Sequence, residues 1–540
     1  MKPFDANGNF APAAEGRELR HLAIQGAGVS VLSHGMAFAI QVVATVVLAR
    51  LLTPSDYGVV TMVTTFSLLL TSFGLNGFTE GVLQRDDIDH FLVSNLFWIN
   101  LSMGLVLTVG FASAGSLLAR FFGNPHVRHA AAGMSLTILI SSSSVLHLAL
   151  LKRAMRFPAL SATSVIAQAV SVTVSIVLGL AGWGYWALVA GNVAQQLSMS
   201  VGAWTLCRWT PSFPRRAPGT ASMVRFAMNV YSHFTVSYAA MNLDNLLVGW
   251  RFNARSLGFY KKAFDLFYLP ANQLLSPVGA VAISALSRLR RDPIQFQRYF
   301  LSGLSIIALV GMGIGADLTL VGPDVIRLIL GPRWDVSGHI FRFFGPGIGL
   351  MLVYGTHGWL HLSIGKADRW FRWGIIELVV TGSLFVLGLR WGPVGVATAW
   401  TTSFCVLTIP AFWYAGKPIN FGIMPVLGAT WKFFVSSLLS GCVCAEVSRG
   451  IPSLMSASGP LAAALRAVVV SLMFGALYLA SVVLLHRGFA PLRRLVNLVR
   501  DTLPGAHVQP AGRTSGETVE PAAATPLILG KEERSVPSEG

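Results

Sequence analysis

Fourteen apolar stretches follow one another along this chain of 540 residues, and all but one of them run beyond twenty residues. They occupy residues 27–49, 58–78, 92–118, 130–150, 159–181, 185–206, 226–249, 259–285, 300–321, 340–362, 374–389, 394–414, 424–447 and 461–485. A helix of about 20 residues spans the roughly 30 Å hydrocarbon core of a bilayer and satisfies its own backbone hydrogen bonds there. The expected fold is therefore an all-α, polytopic membrane protein with about fourteen transmembrane helices. Residues 259–285 read least clearly, because Lys261, Lys262, Asp265 and Pro270 interrupt them.

Composition agrees. Charged residues make up 12% of the chain, against about 25% in a soluble domain. The formal net charge of +17 belongs to loops on one face of a bilayer rather than to a groove for nucleic acid. With the N-terminus placed in the cytoplasm, inner segments carry 23 Lys and Arg and outer segments 9. That asymmetry sets the orientation and puts both termini on the cytoplasmic side. The first residues do not read as a signal peptide, since polar sequence precedes the first apolar run. The cysteines Cys207, Cys405, Cys442 and Cys444 imply no disulfide framework and no metal site.

The plan is written twice. LLTPSDYGVV (51–60) recurs as RFNARSLGFY (251–260), with Gly58 and Gly258 in register. RFFGNP (120–125) recurs as LILGPRW (328–334), and WGYWALVAG (183–191) as WGPVGVATAW (391–400). Each repeat holds six spans, so the halves share one orientation and are related by a pseudo-twofold axis along the membrane normal. The expected organisation is a cytoplasmic N-terminal segment 1–25, a six-helix lobe 26–207 and a cytoplasmic loop 208–225. A second six-helix lobe 226–416, two additional helices 417–500 and a disordered cytoplasmic tail 501–540 follow.

These landmarks resemble a known family. ARLLTPSDYGVVTM, FFGNPHV, LKRAMRF and GWGYWALV in the first half, with LDNLLVG, LGFYKKA and LILGPRW in the second, are similar to bacterial polysaccharide exporters. These are the lipid-linked oligosaccharide flippases of the multidrug/oligosaccharidyl-lipid/polysaccharide exporter superfamily. The resemblance runs from about residue 20 to residue 420. It implies two six-helix bundles around a central cavity and transport by alternating access. The implied substrate is an undecaprenyl-diphosphate-linked oligosaccharide, carried across the inner membrane for exopolysaccharide, O-antigen or capsule. It also implies contact with membrane lipids, a polysaccharide polymerase and export machinery downstream, a monomer, no cofactor and no enzymatic activity. An ion-coupled drug or metabolite exporter of the same superfamily and a peptidoglycan lipid-precursor flippase remain as alternatives.

A diphosphate crossing a bilayer needs cationic partners, because an unpaired buried anion is very costly. Arg50, Arg251, Arg255, Lys261 and Lys262 are the candidates. Arg50 and Arg251 close equivalent helices of the two halves, and snorkelling to headgroups at the outer interface is the favoured reading of them over substrate contact. Intramembrane acids are rare and often functional, which makes Asp244 and Glu377 candidates for ion coupling. His34 and His147 join them because histidine titrates near neutral pH. Asp244 and the Lys261–Lys262 pair have no charged counterparts at Ala44, Thr61 and Met62, so the second half departs from the repeat there. His357 and His361 have i, i+4 spacing without an HExxH pattern. The serines at 141–144 suit either a sugar-facing patch or close helix packing. Trp183, Trp186, Trp334, Trp391 and Trp400 read as an interfacial belt. No phosphate-binding GxxxxGK[ST] loop is present to couple ATP.

Overall fold

The computed structural model describes residues 3–5, 7–10, 17–85, 87–215, 217–451 and 459–502. The expected tail from 501 lies almost wholly outside the described residues. Helices α1 (Arg17–Leu51), α2 (Pro54–Gln84), α3 (His90–Phe121), α4 (His126–Arg153), α5 (Phe157–Leu180) and α6 (Tyr185–Cys207) form the first half. The second half holds α7 (Thr220–Arg251), α8 (Ala254–Arg288), α9 (Pro293–Leu330), α10 (Asp335–Gly355), α11 (His357–Ser363), α12 (Ala367–Gly388) and α13 (Gly392–Gly416). Helices α14 (Ile423–Arg449) and α15 (Pro460–His486) follow. The chain divides after Pro491 into two compact units. Helix α16 (Ala490–Thr502) carries the chain into the second, with Arg493, Arg494 and Arg500 among Leu492, Leu495 and Val496.

Short polar caps start the long helices. Thr53 and Asp56 form a reciprocal capping box on α2, while Asn253, at the matching place in the repeat, caps α8 through the Ser256 amide. Asp89 and Asp292 cap α3 and α9 in the same way. Ten stretches among the described residues are long and apolar enough to cross a membrane, one of them holding both α12 and α13. Helices α6, α7 and α8 are not among the ten. Their length suffices, but Gln195 and Gln196, Asn242, Asp244 and Asn245, and Lys261, Lys262 and Asp265 dilute their apolar character.

The repeat governs packing as well as sequence. Helix α3 lies on α4, α4 on α6, α5 on α6 and α2 on α4; α9 lies on α10, α10 on α13, α12 on α13 and α8 on α10 in the same pattern. The two additional helices α14 and α15 pack on α9 and on each other. Arg466 of α15 forms a partly buried ion pair with Asp324 of α9, Nε lying 2.8 Å from Oδ2. Tyr478 donates to the Leu309 carbonyl at 2.7 Å, and Ser471 to Asp317 at 3.0 Å.

One expectation is refined and one corrected. The span at 340–362 falls within one apolar stretch, Pro332–Ser363, whose helix breaks at Thr356 between α10 and the short α11. Trp334 and Trp400 are not belt residues. Trp334 is fully buried and Trp400 is nearly so, whereas Trp183 and Trp391 remain exposed. The serine run takes its packing role. Ser142 sits against Gly104, its carbonyl accepts from Asn100 at 2.8 Å, and Ser143 meets Ser200 at 3.0 Å.

Candidate functional site

The two lobes meet most closely where the repeat is strongest. A β-carbon on Gly58 would lie 1.7 Å from the Ala254 carbonyl oxygen, and one on Gly258 would lie 1.8 Å from the Pro54 carbonyl oxygen. Each landmark glycine thus receives the first residue of the other lobe's helix, and only a residue without a side chain fits. Around this crossing α2 and α8 join through buried Leu52, Tyr57, Leu257 and Phe259. Trp334 completes the seal from above α9. Its indole Nε1–H donates to the Ala49 carbonyl at 2.8 Å, and its ring meets Tyr57 and Phe259 edge to face. Arg50 adds a bond of 3.2 Å from its guanidinium to the Leu328 carbonyl in the other lobe.

One turn below the crossing lie the charges that the hydropathy reading singled out. Asp244 is 2% exposed; its Oδ2 accepts from the Tyr260 hydroxyl at 2.9 Å and its Oδ1 from the Asn245 amide at 2.7 Å. Tyr260 is fully buried, edge-on to Phe344. The lysine pair divides, because adjacent helical residues point about 100° apart. Lys261 turns along its own helix to Asp265, Nζ to Oδ1 2.7 Å. Lys262, 8% exposed, crosses to the other lobe and places Nζ 4.0 Å from the centroid of the Tyr57 ring. Among the described residues it has no carboxylate within ion-pair distance. Among the described residues the Tyr57 hydroxyl is itself buried without a hydrogen-bond partner. The group holds two ammonium and two carboxyl side chains, a balanced set in which, among the described residues, only Lys261 and Asp265 are directly paired. A buried ammonium over an aromatic face is stabilised by the ring quadrupole and remains open to a stronger anionic partner.

The other candidates divide. Arg251 and Arg255 are exposed at the α7–α8 corner, their guanidinium groups over Phe252 and Phe259. His34 is exposed on α1. His147 is fully buried, stacked on Trp204 at 4.1 Å, with Nε2 3.1 Å from the Trp209 carbonyl. Glu377 is half-buried beside the Tyr354 hydroxyl, which accepts from Trp373 Nε1 at 2.8 Å. His357 and His361 are both buried; His357 Nδ1 engages the Tyr354 carbonyl at 2.6 Å, and among the described residues both ring nitrogens of His361 are without partners. Tyr57, Tyr260 and Trp334 were not legible as site residues, since tyrosine and tryptophan in membrane helices usually signal an interface.

Residues 47–338, more than half of the chain, match the family described as polysaccharide biosynthesis protein. The chain belongs to this family. The resemblance to bacterial polysaccharide exporters carried by the sequence landmarks points to the same family. The chain is 22% identical to the succinoglycan biosynthesis transport protein ExoT of Rhizobium meliloti, over 90% of this chain and 97% of that one. It is 20% identical to the lipopolysaccharide biosynthesis protein WzxC of Escherichia coli, over 78% of this chain and 85% of the relative. Among solved structures, the lipid II flippase MurJ in an inward closed conformation superposes with a TM-score of 0.66 and 14% identity. That likeness covers 85% of this chain and all of MurJ, and shows the shared fold. This polysaccharide-family chain is thus a multi-pass membrane protein whose two halves meet at Gly58 and Gly258.

Proposed function

We propose that this protein flips an undecaprenyl-diphosphate-linked oligosaccharide repeat unit across the bacterial inner membrane, for assembly of a surface polysaccharide. The observation that carries this reading is Lys262: a buried ammonium at the contact between the lobes, held by an aromatic face and by no carboxylate. A diphosphate is the ligand such a group lacks. Lys261 supplies a second cation by exchanging Asp265 for a phosphate oxygen. The relatives named for succinoglycan and lipopolysaccharide biosynthesis support the glycan part of the substrate.

Movement follows from the seal. The crossing of α2 and α8 at Gly58 and Gly258 is the closed periplasmic end in this reading. Parting the crossing and closing the opposite ends presents the same charges to the periplasm, which is alternating access between two similarly oriented lobes. Asp244 and Glu377 form the coupling group, while His147 and His34 stand outside it. The protein works as a monomer, with both termini cytoplasmic, and hands its product to a polysaccharide polymerase and export machinery.

The test has two arms. In proteoliposomes, parent protein moves a fluorescent polyprenyl-diphosphate oligosaccharide between leaflets and Lys262→Met does not. In cells, deleting the gene removes surface polymer and leaves the cells viable. Equal flipping by parent and Lys262→Met, or a lethal deletion with polymer intact, overturns the reading.

A further inference from the structure

A groove of about 1250 Å³ runs between α3, the start of α7 and the loop joining the lobes, away from the lobe contact described above. Its wall is apolar, formed by Trp98, Ile99, Met103 and Val106 of α3 and by Ala221 and Val224 of α7. Arg215 of the loop and Arg225 of α7 also line it. Along α3 the lining runs from Asn95 to Val106, eleven helical steps or roughly 16 Å at about 1.5 Å per residue. One leaflet of the hydrocarbon core is about 15 Å deep. The groove therefore has the depth of a single leaflet, with two cations in its lining.

The loop is fastened so that Arg215 is held in place. Asn95, 8% exposed, donates from Nδ2 to the Arg215 carbonyl at 2.5 Å, and its Oδ1 accepts from the Arg215 amide at 3.0 Å. Trp98 Nε1 donates to the Ser212 carbonyl at 2.8 Å, and the Ser212 amide to Ser94 Oγ at 3.1 Å. Phe213 stacks parallel to Trp98, and the Arg215 guanidinium lies 5.4 Å from the Phe91 ring centroid. Three side chains of α3 thus spend their hydrogen bonds fixing the part of the loop that sets Arg215 at the apolar groove. A membrane helix facing bulk lipid has no need of such a clamp.

We propose that this groove is a binding site for an anionic phospholipid of the cytoplasmic leaflet, its phosphate between Arg215 and Arg225 and one acyl chain along Trp98, Met103 and Val106. The bound lipid fills the space between the first lobe and the start of the second, and so ties the loop between the lobes to the composition of the leaflet. The inference is independent of the flipped substrate.

Native mass spectrometry of the full-length protein, with dioleoyl phosphatidylglycerol and dioleoyl phosphatidylcholine as probes, tests it. Parent protein retains the anionic lipid over the zwitterionic one. Arg215→Gln with Arg225→Gln lowers that retention by about thirtyfold, as expected for two interfacial cations. Arg290→Gln with Arg291→Gln, also on exposed basic residues, leaves it unchanged. Met103→Trp, which fills the groove, lowers retention with both arginines present. Equal retention of the two lipids, or equal loss in the two arginine double variants, overturns the site. Flipping assays on the same proteins report separately on the transport reading.

Discussion

Adding one methyl group at Gly258 should open the outer seal. In Gly258→Ala the new β-carbon starts 1.8 Å from the Pro54 carbonyl oxygen, and ordinary contact begins at 3.4 Å. The ends of α2 and α8 must therefore part by about 1.6 Å, because the obstacle is backbone and no rotamer relieves it. A gap of that size takes the Trp334–Ala49 bond from 2.8 Å to beyond hydrogen-bonding range. It also separates the rings of Tyr57, Phe259 and Trp334 from the opposing lobe. Losing a buried hydrogen bond costs about 1–2 kcal/mol, and the lost packing a similar amount. The closed seal is then disfavoured by about 2–4 kcal/mol, a change of roughly 30- to 1000-fold in the ratio of closed to open. The assay uses a variant with the four cysteines replaced by alanine and Ala49, fully buried at the seal, replaced by cysteine. A membrane-impermeant maleimide added to the periplasmic side should label this position slowly in the parent and at least about tenfold faster with Gly258→Ala. Gly58→Ala should reproduce the effect from the other lobe. Unchanged labelling in protein with parent-like membrane levels and a monodisperse elution profile would refute the argument. Labelling from the cytoplasmic side alone would reverse the orientation.

Further predictions concern the charges. Asp244→Asn keeps a hydrogen-bond acceptor for Tyr260 but removes the charge, and should abolish polymer output at normal membrane levels, read by surface-polysaccharide staining. Lys262→Met exchanges a buried ammonium for an apolar chain of similar length; melting temperature in detergent should hold or rise while flipping is lost. Arg466→Met should lower stability by about 1–2 kcal/mol by leaving the partly buried Asp324 unpaired in the α9–α15 contact, and adding Asp324→Asn should recover most of that in chemical denaturation. His361→Phe removes two buried, unpartnered nitrogens and should raise the melting temperature without loss of transport; a fall in both would show that the histidine has a role in coupling.

Much of this architecture was legible because a bilayer leaves few options. Apolar length placed the helices in order, although not their ends. Helix α1 begins at Arg17, ten residues ahead of the apolar run, because capping and local propensity extend helices into the interface. Helix α8 continues through Lys261, Lys262 and Asp265, since those side chains find an ion pair and a ring within the protein instead of lipid. Asp244 stood out for the same reason that it matters: a charge at membrane depth needs a partner. What sequence did not reveal was the partner. Tyr260 lies sixteen residues away on the next helix, Tyr57 belongs to the other lobe, and the Trp334 bond to Ala49 joins positions 285 residues apart. Periodicity reports which face of a helix is buried and says nothing about what buries it. The lysine pair likewise read as one feature, and helical geometry made it two.

The crossing of Gly58 and Gly258 has one more consequence, and it concerns speed. Side chains that interdigitate must be reordered each time an interface forms, losing up to about 2 kcal/mol of rotamer entropy apiece. Here the innermost contact is main chain against main chain, with no torsions to freeze. Its closure demands alignment of two rigid helix ends and little else. A joint of this kind makes and breaks with a low entropic barrier, so a transporter built around it is free to spend its slow step on moving the cargo.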